Sequence, residues 1–85
     1  MDANDFSQSP DVSLEVDTRG KPRPMPTMGA VKGLDLLNVG DVMEIFFDDP
    51  ACITDLQNWA KLKHQEFLGS RPIVEGYGVR IRRLS

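Results

Sequence analysis

Four stretches of the chain carry apolar residues in patterns that are typical of β-strands. Residues 12–17 alternate apolar and polar side chains, which is the period-two pattern of a strand with one buried face. Residues 42–47 are nearly all apolar and predict a central strand, and Phe67–Leu68 open a third. After a turn at Glu75–Gly76, residues 77–82 alternate again and predict a fourth strand.

Two segments between these strands have the three-to-four spacing of helices that bury one face. Pro26 suits the first turn of the first helix, and Asp48-Asp49-Pro50 supplies an N-cap followed by proline at the start of the second. The second helix should end near Lys63-His64, where cations complement the helix dipole. The residues predicted to face the core are Thr27, Ala30, Val31, Leu34 and Leu37 in the first helix, and Ile53, Leu56 and Ala60, with Trp59 and Cys52 beside them, in the second.

The order of these elements predicts an α+β fold of the type βαβαββ. Two right-handed crossovers in the same direction place both helices on one face of the sheet, which gives a two-layer α/β sandwich with an open second face. On the open face, Glu44 is expected to pair with Arg80 or Arg82 if the last strand inserts beside the second. The 85 residues suffice for one domain, so we assign residues 12–85 to it and the polar residues 1–11 to a flexible tail.

The composition argues against several classes of protein. A net charge of −3 disfavours a free-standing nucleic-acid binder, and no run approaches the roughly 18 apolar residues of a membrane span. The acidic, polar N-terminus does not have the pattern of a secretory signal. A single cysteine cannot form an internal disulfide, which fits a reducing cytoplasm, and no Cys or His pair suggests zinc. We therefore predict neither a metal nor a cofactor.

One segment resembles the signature of a known family. Residues 17–26 read Asp-Thr-Arg-Gly-Lys-Pro-Arg-Pro-Met-Pro. This is similar to the motif of the TusA (SirA-like) sulfur carriers, in which an acidic residue and a glycine precede Cys-Pro-x-Pro at the start of the first helix. Further matches follow in register at Val39-Gly40-Asp41, Asp48-Asp49-Pro50, Asp55 and Trp59-Ala60-Lys61. The similarity covers about residues 14–83.

The resemblance implies a fold, a function and partners. The implied sheet has four mixed strands in the order 1-2-4-3 beneath two helices. The implied function is transfer of persulfide sulfur between protein cysteines, for example toward tRNA thiolation or within sulfur oxidation. The motif cysteine would accept sulfur from a cysteine desulfurase and pass it to a downstream acceptor. At a helix N-terminus, unpaired N–H groups and the helix dipole stabilise its thiolate or persulfide anion.

Position 23 departs from this motif, because it holds arginine where the family has cysteine. A guanidinium stays protonated and has no nucleophilic electron pair, so Arg23 can neither accept nor carry sulfur. Both helix starts should lie along one edge of the sheet, which places Asp48 and Asp49 near Arg23 and predicts an exposed ion pair with them. If Arg23 instead points outward, the two helix N-termini beside it form a candidate site for a small anion.

Cys52 is the remaining thiol of the chain. Its place in the first turn of the second helix favours the thiolate, whereas Asp48 and Asp49 oppose it. Its position beside the core stripe favours a buried, inert side chain. The alternative is that Cys52 replaces the missing motif thiol at the same edge.

Two classes of function follow from these residues. The first is a non-catalytic TusA-like adaptor that binds sulfur-relay proteins without carrying sulfur. The second is a working carrier, which either uses Cys52 or is an Arg-for-Cys variant at position 23. RNA binding through the arginines of the C-terminal hairpin is weaker, given the acidic total, and cross-strand ion pairs explain those arginines more simply. The predicted binding residues are Arg23, Pro24, Met25, Pro26, Asp48 and Asp49.

Overall fold

The computed structural model describes residues 11–85, so most of the expected flexible tail lies outside the described residues. The elements follow the predicted order βαβαββ. The strands are β1 (Leu14–Asp17), β2 (Val42–Phe47), β3 (Glu66–Ile73) and β4 (Gly76–Arg82), and the helices are α1 (Met25–Leu36) and α2 (Ala51–Leu62). Among the described residues, neither helix has the length and apolar character needed to cross a membrane.

The sheet has the strand order β1-β2-β4-β3, which confirms the order that the family resemblance implied. β1 pairs in parallel with β2, and β4 inserts antiparallel between β2 and β3. Met43, Ile45 and Phe47 of β2 belong to the core beneath the helices, while Glu44 points to the opposite face. Because β1, β2 and β3 run in one direction, the helices that follow β1 and β2 begin at the same edge of the sheet.

The core lies between the sheet and the two helices. The buried apolar residues that form it are Ala30, Leu37, Met43, Ile45, Phe47, Cys52, Leu56, Trp59, Ala60, Val79 and Ile81. α2 buries the face that was predicted for it, with Ile53 only partly covered. Tyr77 at the start of β4 stacks on Phe47, and the two ring centroids lie 6.2 Å apart.

The buried face of α1 differs from the prediction. Val31 is exposed, and Pro26, Ala30 and Gly33 form the face that meets the sheet. The reason is close packing, because a Cβ on Gly33 would lie 2.9 Å from the Met43 sulfur. The helix therefore turns a glycine toward the sheet and leaves a larger apolar side chain in solvent.

α2 ends near Lys63 and His64, as predicted, in a Schellman motif. The N–H of Gln65 donates to the carbonyl of Ala60 at 2.8 Å, and the N–H of His64 donates to the carbonyl of Lys61 at 3.2 Å. His64 is exposed and has a φ of 59°, in the left-handed region where glycine is usual. The left-handed backbone of His64 therefore lets the chain reverse direction at the end of the helix.

A buried ion cluster covers the middle of the open sheet face. Glu44 is 1% exposed, and its carboxylate accepts two hydrogen bonds from Arg71, at 2.8 and 3.0 Å, and a longer one from Arg80 at 3.4 Å. The predicted pairing of Glu44 with Arg80 is confirmed, and Arg71 is an additional partner that the sequence did not indicate. Arg82 pairs with Glu66 instead.

Gly78 of β4 leaves the space that the Glu44 carboxylate occupies. A Cβ at Gly78 would lie 2.5 Å from a carboxylate oxygen of Glu44 and 3.4 Å from the ring of Phe46. On the same face, the Arg19 guanidinium lies 5.7 Å from the centre of the Phe46 ring. The open face is therefore covered largely by its own charged side chains, and Phe46 is half-buried under one of them.

Replacement of Glu44 by glutamine should destabilise the fold, because it removes the carboxylate that two partly buried arginines share. Removing one member of a buried ion pair costs about 3–5 kcal/mol, and we expect a loss of this size in the free energy of unfolding measured with urea. The matched control is Glu66→Gln, whose carboxylate is 43% exposed and should contribute at most about 1 kcal/mol. Equal losses for the two variants would contradict a buried role for Glu44.

Candidate functional site

The loops that precede α1 and α2 form a shallow groove at one edge of the sheet. The groove has a volume of about 560 Å³ and is lined by Gly20, Lys21, Pro22, Arg23, Asp48 and Asp49. The parallel pairing of β1 with β2 brings the two loops together, because both leave the sheet at the carboxyl ends of neighbouring strands. The motif position and the two predicted carboxylates therefore share one surface.

Arg23 makes a bidentate ion pair with Asp55 of α2. Its Nε donates to Asp55 Oδ2 at 2.8 Å, and its Nη2 donates to Oδ1 at 2.9 Å. This hydrogen bonding raises the pKa of Arg23 above its already high ordinary value. The peptide bond between Arg23 and Pro24 is cis. The two hydrogen bonds to Asp55 link the guanidinium, at the start of α1, to α2.

The predicted partners of Arg23 were wrong, because Asp48 and Asp49 bind backbone groups instead. Asp48 accepts a hydrogen bond from a backbone N–H of the β1–α1 loop. Asp49 Oδ1 accepts one at 2.9 Å from the N–H of the first residue of α2. Backbone N–H groups therefore hold these two carboxylates, and Asp55, one turn into the helix, reaches the guanidinium.

The charges around the groove disfavour binding of a small anion. Arg23 and Lys21 face three carboxylates, those of Asp48, Asp49 and Asp55, and Asp55 already neutralises Arg23. The anion-binding interpretation of Arg23 therefore has less support than the ion pair. Among residues 11–85, no group of three or more His, Cys, Asp or Glu side chains is arranged to hold a metal ion.

Cys52 lies in the first turn of α2, but its side chain points into the core. It is 2% exposed and packs within the core cluster. Burial raises the pKa of its thiol, and the carboxylates of Asp49 and Asp55 raise it further, against an opposing effect of Arg23. Acceptance of sulfur needs an accessible thiolate, so the structure favours the packing role of Cys52 over that of a substitute thiol.

Arg19, which the sequence analysis did not single out, ties the β1–α1 loop to the β3–β4 turn. Its Nη2 and Nε donate to the Asp17 carboxylate at 2.8 and 3.0 Å, and these bonds lower the pKa of Asp17 to about 2. Its Nη1 donates to the carbonyl of Val74 at 3.5 Å. Opposite charges two residues apart at a strand end are the one sequence signal for this contact. Arg19 thereby helps to hold the loop that carries the motif.

An apolar stripe on the first turns of α1 begins beside the groove. Met25, Met28 and Val31 are exposed at three-residue spacing, and Pro24 is exposed before them. Pro26 is fully buried. Its ring packs beneath the helix, so it is not accessible to a partner, contrary to the prediction. The exposed part of the predicted binding surface is therefore Pro24 and Met25, extended along the helix by Met28.

The basic residues of the C-terminal hairpin make contacts within the fold. Three of the four arginines in this region pair with Glu44 or Glu66. The fourth, Arg83, donates from Nη1 to the carbonyl oxygens of Leu37 at 2.6 Å and Leu34 at 3.2 Å, at the end of α1. These contacts favour a structural explanation of the basic hairpin over docking of RNA. The four arginines are Arg71, Arg80, Arg82 and Arg83.

Comparisons with known proteins agree with this geometry. The family model described as sulfurtransferase TusA matches residues 14–83. The chain is 34% identical over 58 residues to the putative sulfur carrier protein YrkF of Bacillus subtilis, a match that covers 68% of this chain and 31% of that protein. The chain thus spans about a third of its relative's length. The crystal structure of a SirA-like protein from Desulfitobacterium hafniense has the same fold, with a TM-score of 0.70 at 22% identity over 85% of this chain and 99% of that one.

Cys52 should react slowly with a thiol reagent in the folded chain, because its thiol is buried and its pKa is raised. At about pH 8 we expect alkylation by iodoacetamide, followed by intact mass, to be roughly a hundredfold slower than in guanidinium chloride. The control is a variant with Arg23→Cys and Cys52→Ser, whose single thiol lies in the exposed groove and should react almost as fast as an unfolded chain. A wild-type rate equal to that of the control would mean that Cys52 is accessible.

Proposed function

Because the chain belongs to the TusA sulfurtransferase family, we propose that it is a non-catalytic member that binds sulfur-relay proteins without carrying sulfur itself. The observation that carries this proposal is the ion pair between Arg23 and Asp55. It occupies the position at which the motif of the family would place the sulfur-carrying cysteine. The groove and the start of α1 surround it, within the residues that match the family model, and the reactive atom of a carrier is absent.

Persulfide transfer requires a thiolate at the accepting position. The thiolate attacks the outer sulfur of the donor persulfide, a new S–S bond forms, and the donor cysteine leaves as its own thiolate. Arg23 offers no electron pair for this attack, and its ion pair with Asp55 stabilises the cation further. Cys52 has the right chemistry but is buried. The described residues therefore place no accepting thiol at the groove.

The surface beside Arg23 has the properties of a protein-docking site. Pro24 and Met25 are exposed at the end of the loop, and Met28 and Val31 continue the apolar stripe along α1. Burial of these side chains would stabilise a complex, and methionine adapts well to irregular partner surfaces. We expect the partner to be a cysteine desulfurase or a downstream sulfur acceptor, in the reducing cytoplasm where such thiols persist. A chain that occupies this partner without accepting sulfur would slow the relay.

A working carrier is the second candidate. The observation in its favour is the intact loop and helix start around position 23, where a single Arg-to-Cys change would restore the motif. One base change can separate cysteine and arginine codons, so the chain could be a variant of a functional carrier, for example in tRNA thiolation. The other route, through Cys52, requires the core to open before the thiol can be reached.

A mixture with a persulfide-loaded cysteine desulfurase separates these candidates by two readouts: complex formation by gel filtration and added sulfur by intact mass. We expect the wild type and Cys52→Ser to bind and gain no sulfur, and Arg23→Cys to bind and gain one sulfur atom. Met25→Glu places a charge in the apolar stripe and should weaken the complex at least about tenfold. Gln57→Glu adds the same charge on the exposed side of α2 and should not.

The outcomes that contradict the adaptor are distinct from those that support it. Sulfur on the wild-type chain that disappears in Cys52→Ser would establish a carrier that uses the buried thiol. Failure of the wild type to bind the desulfurase or any other relay protein would remove the basis for an adaptor. Loading of Arg23→Cys alone, with unchanged binding, would mean that the docking surface remains and only the chemistry has been lost.

A further inference from the structure

Each helix ends on an exposed leucine, at the end of the domain opposite the groove. Leu36 is the last residue of α1 and is 74% exposed, and Leu62 is the last residue of α2 and is 72% exposed. Val39 and Leu84 are also more than half exposed. Because both helices begin at the groove, both end at the far edge of the sheet. We call Leu36, Val39, Leu62 and Leu84 the distal patch.

Hydrogen bonds connect the segments that carry the distal patch. The N–H of Leu84 donates to Gln65 Oε1 at 2.7 Å, and Gln65 Nε2 donates to the carbonyl of Lys63 at 3.0 Å, which joins the C-terminal residues to the end of α2. The neighbouring Arg83 donates to a carbonyl at the end of α1 at 2.6 Å, and its own carbonyl accepts from the N–H of Gly40 at 2.7 Å. The C-terminal residues Arg83 and Leu84 are therefore bonded both to the end of α1 and to the end of α2, between the two exposed leucines.

The charged residues next in sequence to the two helix-end leucines differ in sign. Asp35 precedes Leu36 on α1, whereas Lys61 and Lys63 flank Leu62 on α2. All three charged side chains are exposed, and none of them forms an ion pair within residues 11–85. The surface thus has a leucine on each side, with an acidic group beside one and basic groups beside the other.

We propose that a second copy of this chain covers the distal patch in a two-fold symmetric dimer. A two-fold axis that passes between the helix ends, perpendicular to the helices and to the line that joins their ends, places the end of α1 against the end of α2 of the other copy. Leu36 then packs on Leu62 of the second copy, and Asp35 faces Lys61 and Lys63 of the second copy. The symmetry repeats the same contacts in reverse, so the apolar and charged groups of both helix ends are matched together.

The self-complementary pattern favours a second copy over other occupants. A two-fold interface requires a patch that matches its own reverse, which leucines on both sides and opposite charges on the two sides provide. A nucleic acid or an anionic membrane would bind best to a surface with positive charge alone, and the negative charge of Asp35 disfavours such binding. The patch therefore fits a copy of itself better than it fits a surface of single charge.

The dimer should be weak, because the end of a domain of this size offers a small contact. Stable specific interfaces bury about 1,600 Å² in total, and smaller ones belong to transient complexes. We expect a dissociation constant on the order of 10–100 µM. The proposal does not depend on the adaptor function.

In the proposed dimer the two grooves face away from each other, which leaves both free for partners.

Sedimentation equilibrium of the full chain, between about 1 and 500 µM, tests the proposal across the expected dissociation constant. The wild type should pass from monomer to dimer over this range. Leu62→Glu should raise the dissociation constant at least about a hundredfold, because it puts a charge against leucine. The matched control is Val74→Glu, at an exposed apolar residue of the opposite edge, which should change it less than about twofold.

Charge reversal tests the predicted pairing. Asp35→Lys should weaken the dimer roughly tenfold, and addition of Lys61→Asp and Lys63→Asp in the same chain should restore it to within about threefold. The highest concentration, 500 µM, is about fivefold above the weakest expected dissociation constant. A chain that stays monomeric at this concentration would therefore contradict the proposed dimer. So would a dimer that Val74→Glu disrupts and Leu62→Glu leaves intact. Failure of the triple variant to regain affinity overturns the pairing of Asp35 with the two lysines.

Discussion

The parallel pairing of β1 with β2 is the constraint on which the candidate site depends. Parallel neighbours require a crossover connection, and two crossovers on one face bring the starts of α1 and α2 to the same edge. Arg23 and Asp55 are far apart in the chain, yet they meet there at 2.8 Å. The groove and the exposed stripe of α1 beside it exist as one surface for the same reason. The pairing also sends both helix ends to the opposite edge, where their leucines are exposed.

Features that follow from periodicity could be predicted from the sequence. Alternation in β1 and β4 and the spacing in α2 predicted these elements and, for α2, the buried face. The pairing of Glu44 with Arg80 or Arg82 could be predicted once the last strand was placed beside the second, because residues opposite each other on neighbouring strands share a face. The strand order required the family resemblance in addition, since periodicity alone does not say where the last strand inserts.

Contacts that depend on competition between neighbours could not be predicted. Asp48 and Asp49 were suitable partners for Arg23 by charge and position, but backbone N–H groups of the β1–α1 loop and of the start of α2 bind them instead. The rotation of α1 is a similar case. Hydrophobic spacing favoured burial of Val31, whereas the close approach of Gly33 to the sheet decides which face is buried. In both cases the sequence contains the competing groups, and only the packed structure determines which contact forms.

A chain that occupies a relay protein without accepting sulfur must compete with a thiol-bearing carrier of the same family. The most direct measurement is the rate of sulfur transfer from a persulfide-loaded desulfurase to such a carrier, in the presence of increasing amounts of this chain. We predict that the chain slows the transfer, that an excess of carrier relieves the inhibition, and that the chain itself gains no sulfur. An unchanged rate at high concentrations of the chain, or sulfur bound to Cys52, would contradict this function.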